Sequence, residues 1–165
     1  HQLRFDTYTG AKNCVLELTR HGCRTPFLAA PSLHDATNPF LNGYLDGGGK
    51  EYWSDRLAYS FDGLKQILGK QYEKQHFDSL ILGYGVEFPQ DSRHTLHEYL
   101  GLPEHVKIIF SYKNTTALAL NPSTAYITYD YRRTCREGVE ILLDEYTQGI
   151  QRRFFIPRIE NAEKL

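Results

Sequence analysis

Short apolar runs alternate with longer amphipathic segments along this chain, and that alternation is its strongest constraint on the fold. Four runs have the length and composition of buried strands, at residues 14–18, 80–82, 105–110 and 125–129. Apolar residues recur at helical spacing in three further segments, at residues 57–77, 92–100 and 137–146. Strands that alternate with helices are typical of α/β layers. We therefore expect a three-layer α/β sandwich, complete or partial, with a mostly parallel central sheet flanked by helices.

The length and charge of the chain limit its organisation. A chain of 165 residues suits one domain, so we expect residues 1–165 to form a single domain, complete or partial. Residues 27–56 are rich in Pro, Gly, Asn and Asp, which predicts a long excursion or lid. The formal net charge of −1 lacks the basic excess of a nucleic-acid binder, so no nucleic-acid partner is expected. Since there is no apolar run of about 18 residues, no membrane span is expected either.

The segment after the first predicted strand carries the clearest chemical pattern, Arg20-His21-Gly22-Cys23-Arg24-Thr25-Pro26. In open α/β sheets, ligands bind beyond the carboxyl ends of the strands. Guanidinium groups bind phosphate oxygens in a fork geometry, and a neutral imidazole can attack phosphorus. The pattern therefore predicts a phosphate-binding loop in which His21 is the nucleophile and Arg20 and Arg24 hold the phosphoryl group.

Arg20 to Pro26 resembles the Arg-His-Gly-x-Arg-x-Pro signature of the histidine acid phosphatase branch of the histidine phosphatase (phosphoglycerate mutase-like) superfamily. Residues 57–69 are similar to the family's segment that opens the first long helix, although its Leu-Thr pair is not intact. Residues 91–96 resemble the Arg-Thr-Leu context of a third phosphate-binding arginine, with one residue inserted. That similarity makes Arg93 the candidate third arginine. The resemblance covers residues 12–100.

The resemblance implies a phosphoric monoester hydrolase of the acid phosphatase type, acting through a phosphohistidine on His21. It implies a phosphate monoester substrate, no cofactor, and a location in the secretory pathway, in lysosomes or outside the cell. The family's His-Asp pair near the C-terminal end has no counterpart, since the only such pair here is His34-Asp35, which suits a surface turn. Four alternatives therefore stay open: a fragment of a longer phosphatase, a short active variant, a phosphomutase, and a catalytically degenerate structural or interaction subunit with protein partners.

Three smaller patterns lead to further expectations. His94-x-x-His97-Glu98 lacks further matching ligands, so we expect a polar helix face there rather than a metal site. Cys23 lies between cationic neighbours, which predicts a lowered thiol pKa. The near-alternate tyrosines at 126, 129 and 131 predict packing in the core or on the sheet surface.

Overall fold

The structure is a computed structural model, and it describes residues 2–30, 37–53, 61–83, 95–110, 124–143 and 152–165. Eight strands are present in the described residues: β1 (Gln2–Phe5), β2 (Pro26–Ala29), β3 (Glu51–Trp53), β4 (Ser79–Leu82), β5 (Lys107–Phe110), β6 (Ala125–Thr128), β7 (Arg152–Phe155) and β8 (Arg158–Glu160). The helices are α1 (Thr7–Arg20), α2 (Pro39–Asp46), α3 (Phe61–Gln75), α4 (Leu96–Leu100) and α5 (Tyr131–Leu143), and a short 3-10 helix covers Ala162–Lys164.

Six of the strands form the central sheet, in the order β3-β2-β4-β5-β6-β8. Every neighbouring pair is parallel except β6 and β8, which are antiparallel. The predicted α/β sandwich with a mostly parallel sheet is therefore confirmed. The remaining strands, β1 and β7, pair in parallel as a separate two-stranded sheet, with Gln2 opposite Arg152.

The two faces of the central sheet are covered by different helices. Successive strand residues point to opposite faces, so Leu80 and Leu82 pack with α3 and α4 while Ile81 packs with α1 and α2. All four residues of β4 are buried. Burial on both faces explains why the central strands are apolar runs rather than alternating patterns.

Residues 14–18, predicted as the first strand, belong instead to helix α1, so that prediction is wrong. Apolar side chains recur there at intervals of three and four residues, which is the spacing of a helix face; those buried are Ala11, Cys14, Val15 and Leu18. Asp6 caps the helix, because its carboxylate accepts a hydrogen bond from the Thr9 amide at 2.9 Å. Asp6 was the missed start signal for this helix.

The other predicted elements are close to the observed ones. The strands predicted at 80–82, 105–110 and 125–129 are confirmed as β4, β5 and β6. Within residues 27–56, the structure places most of β2, together with α2 and β3, so much of this predicted excursion is regular. Helix α5 begins six residues before the predicted position 137, because the Asp130 carboxylate accepts from the Arg133 amide in its first turn.

The chain passes between the two sheets three times. Strand β1 leads into α1, which packs on the central sheet, and β6 leads into α5, which lies against β1 and β7. The third passage is the short connection Ile156-Pro157 from β7 to β8. The Asp6 amide donates to the Phe155 carbonyl at 2.9 Å, which ties the first passage to the third.

In the described part of the chain, no helix combines the length and the apolar character needed to cross a membrane.

Candidate ligand site

The loop from Arg20 to Pro26 lies at the amino edge of the central sheet. It connects the end of α1 to the start of β2, so it precedes a strand rather than following one. His21 caps the C-terminal end of α1, and Gly22 has a φ of +85°, a conformation that favours glycine. Ligands in open α/β sheets bind at the opposite, carboxyl edge. The loop is therefore a helix-to-strand connection on the side of the sheet away from the expected ligand position.

Two carboxylates hold the loop. Glu17 contacts both predicted phosphate-site residues of the helix end, with Oε2 3.0 Å from Arg20 Nη1 and Oε1 3.3 Å from His21 Nε2. Asp78 accepts hydrogen bonds from the amides of Arg24 and Thr25. Although partial burial raises the pKa of Asp78, these amide hydrogen bonds outweigh it and lower the pKa below the usual value. An incoming phosphate would meet the negative charge of Glu17 beside His21.

The environment of Cys23 contradicts the predicted activation of its thiol. The side chain is buried between α1 and the sheet, and burial raises its pKa above the usual value. Its cationic neighbours in sequence do not reverse that effect. The prediction of a lowered pKa is wrong because sequence adjacency said nothing about the side chain's burial.

The remaining residues singled out from the sequence either lie outside the described residues or have structural partners. Arg93 and the His34-Asp35 pair lie outside the described residues. His97 Nε2 lies 2.7 Å from the Val106 carbonyl oxygen, and Glu98 forms a capping box with Thr95 at the start of α4. His97 and Glu98 thus have structural partners, and the described residues contain no group of three or more metal-ligand side chains.

At the carboxyl edge, the described structure is most complete at the end of β6. After β2 and β4 only Ala30 and Gly83 are described, and the residues that follow β3 and β5 lie outside the described ranges. After β6 come Tyr129, Asp130 and Tyr131, of which Tyr129 is buried and Tyr131 is 55% exposed. This segment therefore presents both an aromatic ring and a carboxylate at the edge where ligands are expected.

Four aromatic rings meet where the chain passes between the two sheets. The Phe5 ring lies with its centroid 5.0 Å from that of Tyr129 and 5.0 Å from that of Tyr131, in edge-to-face contacts. Phe155 completes the cluster, 6.3 Å from Phe5, and the Arg133 guanidinium lies over its ring. Edge-to-face contacts favour a defined ring orientation, so the contact with Phe5 orients the exposed ring of Tyr131.

A groove of about 1380 Å³ opens beside this aromatic cluster. One wall is the face of α1 that carries Asn13, Leu16, Glu17 and the predicted site residue Arg20, and the other is the start of α5 with the β7–β8 connection. Glu137 Oε1 accepts from Arg133 Nε at 2.7 Å and its Oε2 accepts from Arg153 Nη1 at 3.1 Å. The hydrogen bond from Arg133 is the main reason that the pKa of Glu137 lies below its usual value.

The groove has the composition of a binding site for a small polar molecule. An exposed aromatic face, carboxylates and guanidinium groups provide stacking, hydrogen-bond acceptors and hydrogen-bond donors. Tyr126, Tyr129 and Tyr131 were interpreted from the sequence as packing residues, and all three pack: Tyr126 lies against the core, Tyr129 is buried and Tyr131 contacts the Phe5 ring. Tyr131 also follows the fourth predicted strand, and this position beyond a carboxyl end of the sheet was the sequence signal for the candidate site.

Comparison with known proteins identifies the fold. No family model matches the chain, and no curated protein matches its sequence. A PurR family transcriptional regulator from Vibrio parahaemolyticus is similar in structure, with a TM-score of 0.69 and 16% identity over 98% of this chain and 63% of that one. A LacI-family sugar-binding transcriptional regulator from Escherichia coli, complexed with phosphate, matches with a TM-score of 0.67 and 15% identity over 94% of this chain and 59% of that one.

A third similar structure is a periplasmic binding protein/LacI transcriptional regulator from Alkaliphilus metalliredigens, complexed with D-xylulofuranose. It has a TM-score of 0.62 and 18% identity over 95% of this chain and 62% of that one. The chain therefore spans about three fifths of the length of each of these proteins.

The histidine phosphatase resemblance is wrong. The structural neighbours are LacI- and PurR-type regulators rather than histidine phosphatases, and the motif follows a helix instead of a strand. Because that resemblance is wrong, the functions predicted from it are wrong as well: the phosphoric monoester hydrolase, the phosphomutase and the degenerate phosphatase-like subunit. A phosphate-binding role for Arg20, Arg24 and Arg93 stays an untested prediction, as does the secretory location that the resemblance implied. What the comparisons show is that this chain shares its fold with part of these regulators.

Proposed function

We propose that this chain is part of a ligand-sensing domain of a transcriptional regulator, and that it binds a sugar or a similar polyhydroxylated molecule. The observation that carries the proposal is the groove at the carboxyl end of β6, in a fold shared with regulators named for sugar binding. One of the similar proteins is complexed with D-xylulofuranose. The ligand class is taken from those proteins and from the chemistry of the groove.

Tyr131 and Asp130 are the proposed ligand contacts. The face of an exposed aromatic ring stacks on the apolar C–H face of a sugar, while carboxylates accept hydrogen bonds from its hydroxyl groups. Asp130 is exposed and stands beside Tyr131 at the mouth of the groove. The neighbouring guanidinium of Arg132 supplies donors for ring or hydroxyl oxygens.

The position of the groove also links ligand binding to the relative arrangement of the two sheets. The groove lies between the two sheets, at the point where the chain passes from one to the other, so a bound ligand would contact both. A ligand that binds one relative arrangement better shifts the population towards it. As part of a transcriptional regulator, the whole protein would have nucleic acid among its partners, so we do not retain the predicted exclusion of nucleic acid for the whole protein.

Ligand-detected nuclear magnetic resonance with a panel of pentoses, hexoses and disaccharides tests the proposal. We expect at least one sugar to show saturable binding that Tyr131→Ala abolishes. Tyr52→Ala is the matched control, because Tyr52 is an exposed tyrosine on the far edge strand β3, and this variant should bind normally.

Two results would contradict the proposal. One is that no sugar in the panel binds the folded chain. The other is that binding survives Tyr131→Ala but is lost in His21→Ala, which would place the ligand at the amino edge of the sheet.

A further inference from the structure

Arginine is the most frequent charged residue in the lining of the groove. In the described part of the chain, five arginine side chains and four carboxylate side chains line the groove. They are Arg20, Arg132, Arg133, Arg153 and Arg158, with Glu17, Asp130, Glu137 and Glu160. The lining therefore carries one net positive charge, although the formal net charge of the whole chain is −1. A concave site of positive charge attracts anions.

Three of the five arginines already bind carboxylates of the lining. They are Arg20, which binds Glu17, and Arg133 and Arg153, which both bind Glu137. The side chains of Arg132 and Arg158 have no ion-pair or hydrogen-bond partner among the described residues. Both residues are exposed, so their guanidinium donors are available to a ligand.

Strand β8 places Arg158 at the carboxyl end of the central sheet. In the antiparallel pair of β6 and β8, Arg158 lies opposite Thr128, the last residue of β6. Glu160 lies opposite Tyr126, and two strand residues span about 7 Å, so Glu160 is set back from the end of β6 by that distance. Arg158 is therefore the charged residue of β8 that lies beside the end of β6, from which the proposed ligand contacts follow.

We propose that the ligand of the groove is a sugar acid, whose ring stacks on Tyr131 and whose single carboxylate binds the guanidinium of Arg158. The planar guanidinium presents paired N–H donors that match the two oxygens of a carboxylate. Asp130 repels the ligand carboxylate and accepts hydrogen bonds from the hydroxyl groups instead. The inference rests on the proposed function, because it names the kind of sugar that the same groove binds.

The charge of the groove favours a carboxylate over the alternatives. A neutral sugar leaves the net positive charge of the lining uncompensated. A phosphorylated sugar carries about 1.5 to 2 negative charges at neutral pH, which exceeds the one positive charge that the lining offers. A carboxylate carries one negative charge, so a sugar acid matches the lining.

Pairs of sugars that differ in one carboxylate test the inference. Isothermal titration calorimetry compares glucuronate, galacturonate and gluconate with their neutral parent sugars, with the methyl esters of the two uronates, and with glucose 6-phosphate. We expect at least one sugar acid to bind about tenfold or more tightly than its neutral parent, because hydrogen bonds between charged groups are stronger than those of neutral hydroxyls. The methyl ester of a uronate should lose that advantage, since it has nearly the same shape without the charge.

Arg158→Gln should remove the preference for the sugar acid, because glutamine keeps a polar side chain but lacks the charge and the paired donors. Arg136→Gln is the matched control. Arg136 is also an exposed arginine, on α5, and it is not among the described residues that line the groove. This variant should keep the full preference, and circular dichroism checks that both variants are folded.

Three results would overturn the inference while the proposed function stands. They are neutral sugars that bind as tightly as the acids, glucose 6-phosphate that binds more tightly than glucuronate, and a preference for acids that Arg158→Gln retains. If neither the neutral sugars nor the sugar acids bind, the inference and the proposed function are both wrong.

Discussion

The central sheet and the unit formed by β1, β7 and α5, called the β1–β7 unit, are built from the same parts but differ in burial. Strand β4 in the central sheet is buried at all four positions, whereas β7 is exposed at its first three. Helices α1 and α3 lie on opposite faces of the central sheet, while α5 has Ile141 as its one fully buried residue in the described structure. The difference indicates that the central sheet gains more stabilisation than the β1–β7 unit, because burial of apolar surface is the dominant favourable contribution to folding.

The largest expected effect comes from truncating a central strand. Ile81 is fully buried in β4, so Ile81→Ala should lower the free energy of unfolding by about 2–5 kcal/mol. Val139→Ala, on the exposed side of α5, should change it by less than about 0.5 kcal/mol. Urea unfolding followed by circular dichroism measures both. If Val139→Ala costs as much as Ile81→Ala, the contrast between the two regions is wrong.

The next largest expected difference in stability is between alanine substitutions at a glycine of α2 and a glycine of α5. A Cβ at Gly43 in α2 would lie 2.0 Å from the Tyr8 carbonyl oxygen, so Gly43→Ala must separate α1 from α2 and should cost about 1–3 kcal/mol. At Gly138 in α5 the obstacle is the end of the flexible Leu3 side chain, at 2.7 Å. Because alanine favours helix by about 1 kcal/mol over glycine, Gly138→Ala should be neutral or stabilising. Thermal unfolding of the two variants distinguishes these outcomes, and equal losses would contradict the comparison.

The smallest expected effects on stability come from replacing two carboxylates whose pKa is lowered in the folded chain. Asp78 accepts amide hydrogen bonds in the central unit, while Glu137 binds two arginine side chains in the peripheral one. Since folding lowers the pKa of Asp78 below 3.8, its contribution is complete above that value and is lost as the pH falls through the folded-state pKa. Asp78→Asn should therefore flatten the acid limb of the stability–pH curve.

Salt distinguishes the two carboxylates. In 1 M sodium chloride, where the Debye length is about 3 Å, the ion pairs of Glu137 with its half-exposed arginine partners should contribute little, and Glu137→Gln should then match the unmodified chain. Asp78→Asn should remain destabilising at the same salt concentration, because hydrogen bonds to backbone amides do not depend on long-range charge. A salt-independent Glu137→Gln effect would show that this pair is structurally more important than its exposure indicates.

The central sheet was predictable from the sequence because its strands are buried on both faces and appear as apolar runs. The prediction failed at residues 14–18, where five residues fit a strand but the wider pattern from Ala11 to Leu18 fits a helix. That one misassigned element moved the Arg20–Pro26 loop to the wrong edge of the sheet and made a phosphatase motif plausible. Longer windows and the Asp6 cap would have corrected it.

The groove could not be predicted in the same way. It joins Leu16 of α1 to Arg158 of β8, residues far apart in the chain, and depends on how the two sheets meet. The sequence showed Tyr131 and Asp130 but not that Phe5 and Phe155 would pack beside them. Short motifs reveal local chemistry, whereas this site arises from contacts between distant segments.

Strand β1 pairs with β7 across nearly the whole chain, with Gln2 beside Arg152, and β8 closes the central sheet only after that. Pairing so distant in sequence carries a high loop-closure cost and slows folding. During synthesis, β1 can pair with β7 only after residues 152–155 have left the ribosome. The unit with the most exposed apolar surface in the described ranges therefore acquires its strand pairing only after β7 has been synthesised.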